Sequence, residues 1–556
     1  MTIKNKVSIL IENALTEAHN QGFLPLALPN DIIVERPQKS EHGDFASSIP
    51  LKLAKSFRLQ PIQIAEILLP LILVNEEFDK AWIMPPGFLN FELSSDWLRS
   101  QLEEIIKLGE TYGNLSIGDK ETVLVEFVSV NPTGPVHVGH ARGGVLGSTL
   151  SNILIAAGFK VKREYYINDA GNQMEVFYKS LHARYRKLLG QESQMPEGGY
   201  VGEYLIDLAK EIIAEKGDIF LQMDEVKAIA NIGKIGRHKM IETIKIDLEK
   251  IKVSFDEWFS EQSLFKNGQY KKIISMLSKS GYTANRDGAV WFTSTSLGED
   301  KDNVLIRSSG TPTYFASDIA YHYNKLVERG FDKVIDIWGA DHQGHVPRMK
   351  AVVGALGVDP KRLLIIISQL VTLKHGTQRV KASKRSGDIV TLKELVDEVG
   401  ADPCRFFFLS HSAESQMDFD LDLARKESSE NPVYYIQYAH ARISSILRLA
   451  KERHIEYSNA DISLLVDKAE LDLIRKMVQF PELIEQIAAK LEPHHLSHYS
   501  LQLATSFHWF YKQCRVVSSI KDEEAITKTR LKLVKAAQIV LARCLSLMGM
   551  AAPDEM

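Results

Sequence analysis

The sequence has little cysteine, no long apolar run and no strong excess of charge. Its three cysteines, Cys404, Cys514 and Cys544, form no CxxC pair, which argues against a disulfide framework and against a thiolate zinc site. No stretch approaches the roughly 18 apolar residues needed to cross a bilayer. The amino-terminal residues mix acids into an amphipathic pattern, unlike a secretory signal. These absences predict a protein of the reducing cytoplasm, with no membrane contact and no tightly bound metal ion.

Charge and length set further bounds. The 67 basic and 71 acidic side chains give a formal net charge of -4. This balance neither indicates nor excludes a nucleic-acid partner, because a large protein can hold a local basic surface. A chain of 556 residues exceeds what one hydrophobic core supports, so we expect several domains.

The hydrophobic pattern predicts a multidomain α/β protein in three parts. Residues 1–112 are expected to form an α+β domain, helices first. From Glu121, an apolar run, a Pro/Gly turn, a helical segment and a second apolar run predict a βαβ unit, hence a Rossmann-type parallel sheet, in a domain of residues 113–428. A charged, helix-rich stretch at about 172–285 is expected to be a helical insertion in that domain. Residues 429–556 have helical periodicity and predict an all-α domain.

The segment NPTGPVHVGH follows the strand-like run TVLVEFVSV, where a buried strand should lead into a helix. His137 and His140 share one face of the first helical turn, and Gly139 between them lets a ligand approach the backbone. A helix N-terminus attracts anions, so two imidazole donors there would stabilise charge that develops on a phosphate. Taken alone, the pattern is more typical of a turn with two solvated histidines.

Two later segments supply context. VKASKRSGD places Lys381, Ser383 and Lys384 in a short loop, and lysine ammonium groups can neutralise phosphates as point charges. GADHQGH, residues 339–345, follows a strand-like run. Each also has a plainer interpretation, as a solvated basic loop and as a glycine-led turn capped by Asp341.

Together these three segments resemble the HIGH and KMSKS signatures and the ribose-binding GxDxxxH segment of class I aminoacyl-tRNA synthetases. The resemblance implies that ATP binds here with Mg²⁺ as its counter-ion. It implies four residues at the reacting phosphates: His137, His140, Lys384 and, assisting, Lys381. It implies five further ATP contacts: Gly139, Gly339, Asp341, His345 and Ser383. Ala382 and Arg385 replace the Met and the final Ser of the signature, so the role of Lys381 is less defined than that of Lys384.

A guanidinium substrate needs carboxylates and neutral acceptors around a planar fork of donors. Five candidates lie in VEFVSVNPTG and in SSGTPTYFASDIAYHY: Glu126, Ser129, Asn131, Tyr314 and Asp318. Tyr314 and Asp318 are four residues apart and would share a helix face. From the pattern alone, Asp318 is equally an N-cap or first-turn acid of the following helix.

Longer segments narrow the resemblance to the arginyl-tRNA synthetases, over essentially the whole chain. They include VEFVSVNPTGPVHVGHARGGVLG, YYINDAGNQ, GTPTYFASDIAYH, GADHQGHVPRMK and VTLKELVDEVGADPCRFFFLS. The resemblance implies that arginine is held by Glu126, Asn131, Tyr314 and Asp318. It also implies the reaction: arginine and ATP form arginyl-adenylate and pyrophosphate, and the arginyl group passes to the 3' terminal ribose of tRNA(Arg), with bound tRNA needed for efficient activation.

The outer domains resemble the tRNA-contacting parts of the same family, an N-terminal domain for the outer corner of tRNA and a helical anticodon-binding domain. Rings and a guanidinium for unstacked anticodon bases are expected from Tyr435, Tyr438, His440 and Arg442. An acid-free stretch near the end carries five cations suited to phosphate contact: Lys528, Arg530, Lys532, Lys535 and Arg543. Phe507, Phe510 and Tyr511 are expected in the core.

The sequence therefore favours a cytoplasmic arginine–tRNA ligase that acts as a monomer on L-arginine, ATP and tRNA(Arg). Three alternatives remain. A cysteinyl enzyme of the same class would need a zinc site that scattered cysteines do not provide. A smaller nucleotidyltransferase with the same histidine motif would not need the long helical C-terminus. A non-catalytic tRNA-binding relative would not need the histidines, Lys384 and the carboxylates.

Overall fold

The computed structural model describes residues 2–26, 32–380 and 390–556. Within these ranges no helix combines the length and the apolar character that crossing a membrane requires.

The amino-terminal part is an antiparallel sheet covered by helices. Its strands are β1 (Val34–Glu35), β2 (Phe45–Ser47), β3 (Phe78–Met84) and β4 (Phe88–Leu93), in the order β1-β2-β4-β3. Its helices are α1 (Ile3–Asn20), α2 (Ile49–Phe57), α3 (Pro61–Leu68) and α4 (Ser95–Leu108). Two buried phenylalanines on neighbouring strands, Phe45 and Phe91, pair across β2 and β4 and centre its core.

Five parallel strands form the central sheet. They are β5 (Thr122–Glu126), β6 (Lys160–Ile167), β7 (Glu257–Ser260), β11 (Lys333–Gly339) and β12 (Leu363–Ser368), ordered β12-β11-β5-β6-β7. Helices α5 (Val138–Ala156) and α12 (Val346–Ala355) follow β5 and β11. The chain proceeds from β5 to β6 and β7 on one side, and to β11 and β12 on the other. At such a reversal of strand order, the carboxyl ends of the strands open a crevice that binds ligands.

The expected helical insertion at about 172–285 is shorter than predicted. Helices α6 (Asn172–Leu188), α7 (Glu203–Lys216) and α8 (Glu225–Lys250) pack around their own apolar core. The chain then rejoins the parallel sheet at β7, which pairs with β6 so that Trp258 lies opposite Tyr165. The prediction missed β7 because four residues are too few to show periodicity.

Short elements complete this part of the chain. A three-stranded antiparallel sheet contains β8 (Thr283–Arg286), β9 (Ala289–Phe292) and β10 (Asn303–Ile306), flanked by α9 (Glu261–Lys266), α10 (Gln269–Lys279) and α11 (Tyr314–Tyr323). A second small sheet contains β13 (Val371–His375), β14 (Gln378–Arg379) and β15 (Met417–Asp420), near α13 (Leu392–Val399), α14 (Ala401–Leu409) and α15 (Leu421–Ala424).

The carboxyl-terminal part is helical, as predicted. Its helices are α16 (Pro432–Glu452), α17 (Lys468–Met477), α18 (Phe480–Lys490), α19 (His494–Gln513) and α20 (Glu524–Leu547). The expectation that the cations of α20 contact phosphate is wrong for two of them. Lys532 is 3% exposed and forms a salt bridge with Glu103, and Arg530 Nε lies 2.7 Å from Oε1 of the buried Glu470. These cations hold helices together.

Candidate active site

The two signature histidines lie where β5 leads into α5. His137 is the extended N-cap residue of α5, and the ring centroids of His137 and His140 are 3.5 Å apart. Gly139 is exposed, and a β-carbon at this position would lie 3.3 Å from the His137 ring. Because Gly139 has no side chain, it does not crowd the His137 ring, and the exposed backbone beside the two histidines is accessible to a ligand.

The chain returns to this turn after the basic loop. Lys381, Ser383 and Lys384 lie outside the described residues. Immediately after them, Val390 O accepts a hydrogen bond from Val138 N at 3.3 Å, and Leu392 N donates to Val136 O at 2.7 Å. The segment that begins at Val390 is therefore hydrogen-bonded to the backbone of the histidine turn.

The ribose-binding candidates follow the neighbouring strand. β11 ends at Gly339, and a 3-10 turn over Ala340–His345 leads into α12. Gly339 has the Asp341 carboxylate 2.7 Å from where its β-carbon would lie. Burial and the nearby Arg348 and His342 lower the pKa of His345. Because β5 and β11 are hydrogen-bonded neighbours, this turn and the histidine turn lie on the same edge of the sheet.

Glu126, the last residue of β5, is buried and accepts a hydrogen bond from Lys325 Nζ at 2.9 Å. Burial raises the pKa of its carboxyl, and the charge of Lys325 opposes that shift. Ser129 accepts a hydrogen bond from Tyr166 N at 3.1 Å, so its hydroxyl helps to hold the end of β6. Asn131 donates to Gln173 at the start of α6. Direct contacts of Ser129 and Asn131 with arginine stay predictions.

Helix α11 brings Tyr314 and Asp318 to the same region. Tyr314 is its first residue and is 51% exposed, and Asp318 follows one turn later. The N-cap is Thr313, and the first turn contains no acid. The alternative role of Asp318 as an N-cap or first-turn acid is therefore wrong. Burial raises the pKa of Asp318, and His322 gives the largest opposing effect.

Sequence reasoning missed a third carboxyl group at this place. Glu261 directly follows β7, is 3% exposed, and its Oε2 has no hydrogen-bond partner among the described residues. Its pKa is raised to about 7: burial is the largest cause, a hydrogen bond from Ser317 opposes the shift, and the charges of Asp318 and Asp169 add to it. An acid directly after a parallel strand could have indicated this residue. β7 was not recognised in the sequence, because residues 172–285 were predicted to form a helical insertion.

Glu126, Glu261 and Asp318 lie near one another, because the charges of all three act on the buried Tyr166 hydroxyl of β6. Burial opposes the negative charge of each of them, and an entering cation would stabilise that charge. A planar guanidinium can donate to several carboxylates at once. The described residues contain no group of three or more His, Cys, Asp or Glu side chains arranged to hold a metal ion.

An aromatic surface lies on helices α16 and α19. The rings of Tyr434 and Tyr438 are stacked at 5.9 Å, and the Arg442 guanidinium lies 4.7 Å from the Tyr438 ring centroid. Tyr435 lies 4.5 Å from His508 between their ring centroids.

The predictions for four other ring-bearing residues on these helices had mixed outcomes. His440 is 5% exposed and donates to Pro553 O at 2.8 Å, so the expectation that it contacts bases is wrong. Phe507 and Phe510 are fully buried, which confirms their place in the core. Tyr511 is 37% exposed, contrary to expectation, and its neighbour Trp509, which was not predicted, is 54% exposed.

Three family models match successive parts of the chain. The arginyl-tRNA synthetase N-terminal domain matches residues 5–93. The catalytic domain of class I (R) tRNA synthetases matches residues 101–405, and the DALR anticodon-binding domain matches residues 436–556. The predicted architecture, a parallel-sheet catalytic domain between an N-terminal domain and a helical anticodon-binding domain, is confirmed.

Known proteins resemble the chain along most of its length. An arginine–tRNA ligase of Dehalococcoides mccartyi is 54% identical, with 100% of this chain and 99% of the relative covered. An arginyl-tRNA synthetase structure from Campylobacter jejuni has a TM-score of 0.77 at 33% identity, over 84% of this chain and 100% of that one. The Thermus thermophilus arginyl-tRNA synthetase shares the fold, with a TM-score of 0.80 at 22% identity over 100% of both chains. This chain therefore belongs to the arginyl-tRNA synthetase family of class I aminoacyl-tRNA synthetases.

Proposed function

We propose that the substrate arginine binds among Glu126, Glu261 and Asp318. The chain is an arginine–tRNA ligase, which joins arginine to tRNA for protein synthesis. The observation that carries the proposal is the grouping of three carboxyl groups whose pKa burial raises. Lys325 already pairs with Glu126, and an entering guanidinium adds positive charge for Glu261 and Asp318, whose pKa values burial also raises. Tyr314, exposed at the start of α11, forms the rim, and Asn131 lies toward the histidine turn.

ATP binds across the reversal of strand order, between the turns that follow β5 and β11. Its ribose contacts Gly339, Asp341 and His345, and Gly139 lets its phosphates approach the backbone. An oxygen of the arginine carboxylate attacks the α-phosphorus, and the bond from that phosphorus to pyrophosphate breaks. His137 and His140 stabilise the charge that develops on the α-phosphate. Pyrophosphate leaves with Mg²⁺, and Lys384, aided by Lys381 and Ser383, steadies it.

The second step uses the tRNA end. A hydroxyl of the terminal ribose attacks the arginyl carbonyl carbon, and AMP leaves with the electron pair of the mixed-anhydride bond. No protein nucleophile takes part, so positioning and electrostatics supply the rate. We place the three domains at residues 1–112, 113–428 and 429–556, and propose that the chain acts as a monomer in the cytoplasm.

L-citrulline tests the arginine pocket, because it replaces the charged guanidinium by a neutral ureido group of nearly the same shape. We expect its inhibition constant to exceed the KM for arginine by at least about 100-fold, because a neutral ureido group brings no positive charge to Glu261 and Asp318. The measurement is competition in the aminoacylation assay, with L-arginine methyl ester, which keeps the guanidinium, as the matched competitor. Citrulline that competes as well as the ester would contradict the assignment.

The aromatic surface of α16 and α19 is proposed to bind anticodon bases through Tyr435, Tyr438 and Arg442, joined by Trp509. Stacking of one base on an aromatic ring contributes about 1–3 kcal/mol. We therefore expect Trp509→Ala and Tyr438→Ala each to raise the KM for tRNA by roughly 5- to 100-fold, with kcat at saturating tRNA nearly unchanged. Tyr438→Phe keeps the ring and serves as the control. An unchanged KM for tRNA in both alanine variants would remove this surface from the anticodon site.

A further inference from the structure

Lys325 is fully buried beneath the proposed arginine pocket. Its Nζ lies 2.9 Å from Glu126 Oε2 and 2.8 and 2.9 Å from the two carboxylate oxygens of Asp336. Glu126 and Asp336 are register partners on the neighbouring strands β5 and β11. One ammonium group therefore joins two carboxylates at the point where the strand order reverses.

The backbone brings this lysine inward in an unusual way. Helix α11 continues into a π-helical segment, Asn324–Glu328, which contains Lys325. Such wide turns occur frequently at functional sites. The Lys325 ammonium also lies 4.2 Å from the Tyr321 ring centroid. Burying a lysine is costly unless the charge is paired, so its location here calls for a role beyond filling space.

The groups around Glu126 give Lys325 a specific task. Asp336 has a second partner, because His322 Nε2 lies 2.8 Å from its Oδ2. Among the described residues, Lys325 is the one cation that forms a salt bridge with Glu126. The charged and titratable groups near Glu126 come from α11 with its π-helical extension, from β11 and from β6: Tyr321, His322, Lys325, Asp336, Glu164 and Tyr166.

We infer that Lys325 is a positioning residue for arginine binding, which keeps Glu126 ionised and turned so that its carboxylate can meet the substrate cation. The inference rests on the proposed function, in which Glu126 contacts arginine. Lys325 itself does not need to touch the substrate. Its hydrogen bond uses Oε2 of Glu126 and fixes the plane of the carboxylate.

Removal of this lysine has a predictable effect on protonation. Burial already raises the pKa of Glu126, and Lys325 is the largest influence that lowers it. Without Lys325 the pKa of Glu126 rises further, so a larger fraction of its carboxyl groups is protonated at a given pH and pairs less well with a cation. A raised acid pKa means that the binding-competent form returns as pH increases. The dissociation constant for arginine should therefore fall with rising pH in a Lys325 variant.

Calorimetric titration of the full chain with L-arginine between pH 5.5 and 9 tests this inference. Lys325→Met is expected to bind arginine at least about 10-fold more weakly than the parent at pH 7, which corresponds to the loss of one charge-assisted hydrogen bond. Its affinity should recover toward pH 9. Lys325→Arg keeps the charge and should retain most of the parental affinity at pH 7. Lys333→Met is the matched control, because Lys333 pairs with Glu121 on a surface where both side chains are more than 40% exposed.

Further variants separate the possible failures. Glu126→Gln should bind arginine weakly at every pH, and parental affinity in it would refute the arginine contact of Glu126 itself. Suppose that Glu126→Gln does bind arginine weakly. The role of Lys325 is then overturned if Lys325→Met binds arginine with parental affinity, or if its weak binding does not improve as pH rises. In Asp336→Asn, Glu126 is the remaining ionised partner of Lys325. The pH at which this variant loses affinity for arginine on acidification should therefore be lower than in the parent. An unmoved profile there overturns the inference even if Lys325→Met does not fold.

Discussion

The His140→Ala variant is expected to lose about 10²- to 10³-fold in kcat for adenylate formation, because one preorganised donor to the developing phosphate charge is removed. His140 lies on the first turn of α5, with its ring 3.5 Å from that of His137 between centroids. The KM for arginine should change little, since His140 is not among the residues proposed to hold arginine. The measurement is pyrophosphate exchange at saturating tRNA.

His238→Ala is the matched control for this variant, because His238 is an exposed histidine on α8 that belongs to none of the signature segments. It should exchange pyrophosphate at the parental rate. Thermal unfolding should be similar for both variants and the parent, so that a rate loss reports on chemistry. A His140→Ala enzyme that folds, binds tRNA and retains the parental rate would eliminate the electrostatic role of this residue.

The Asp318→Asn variant is expected to raise the KM for arginine by about 10²- to 10³-fold, because it removes one partner of an enclosed charge pair at nearly constant shape. Burial raises the pKa of Asp318, so its ionised form is disfavoured in the empty pocket. The neutral amide should therefore leave the ligand-free protein as stable as the parent or slightly more stable. Arginine should stabilise the parent against thermal unfolding and the variant much less.

The pH dependence of the Asp318→Asn variant gives an independent test. An acid with a raised pKa loses its charge as pH falls, so the parental KM for arginine should rise on acidification. The variant should lose part of this dependence, because its side chain does not titrate. Glu430→Gln, at an exposed residue that pairs with Lys426, is the control and should behave as the parent. A parental KM in Asp318→Asn would remove Asp318 from the arginine site.

Local sequence pattern predicted the parts of the site that depend on backbone alone. The apolar run that ends at Glu126, followed by prolines and glycine, predicted a strand, a turn and a helix start, and β5 and α5 occupy those places. The same reasoning found β11 and its glycine-led turn. These predictions hold because strand burial and turn geometry are set by residues close together in the chain.

Charge partners were harder to predict, because they depend on residues far apart. The cations of α20 suggested phosphate contact from composition, yet Lys532 pairs with Glu103, which lies on α4. Glu261 was overlooked because β7 is recognisable only through its pairing with β6. A short strand in a charged region has no periodicity of its own, so only the assembled sheet identifies it.

By itself, the sequence determined the family, the ligase reaction and the position of the histidine turn, because signature residues at fixed spacing carry that information. Only the tertiary structure decided that the buried Glu261 lies near Asp318, that Thr313 rather than Asp318 caps α11, and that Lys325 pairs with Glu126. The physical reason is that ionisation depends on burial and on nearby charges. Sheet pairing sets both by bringing together residues as distant as Glu126 and Lys325.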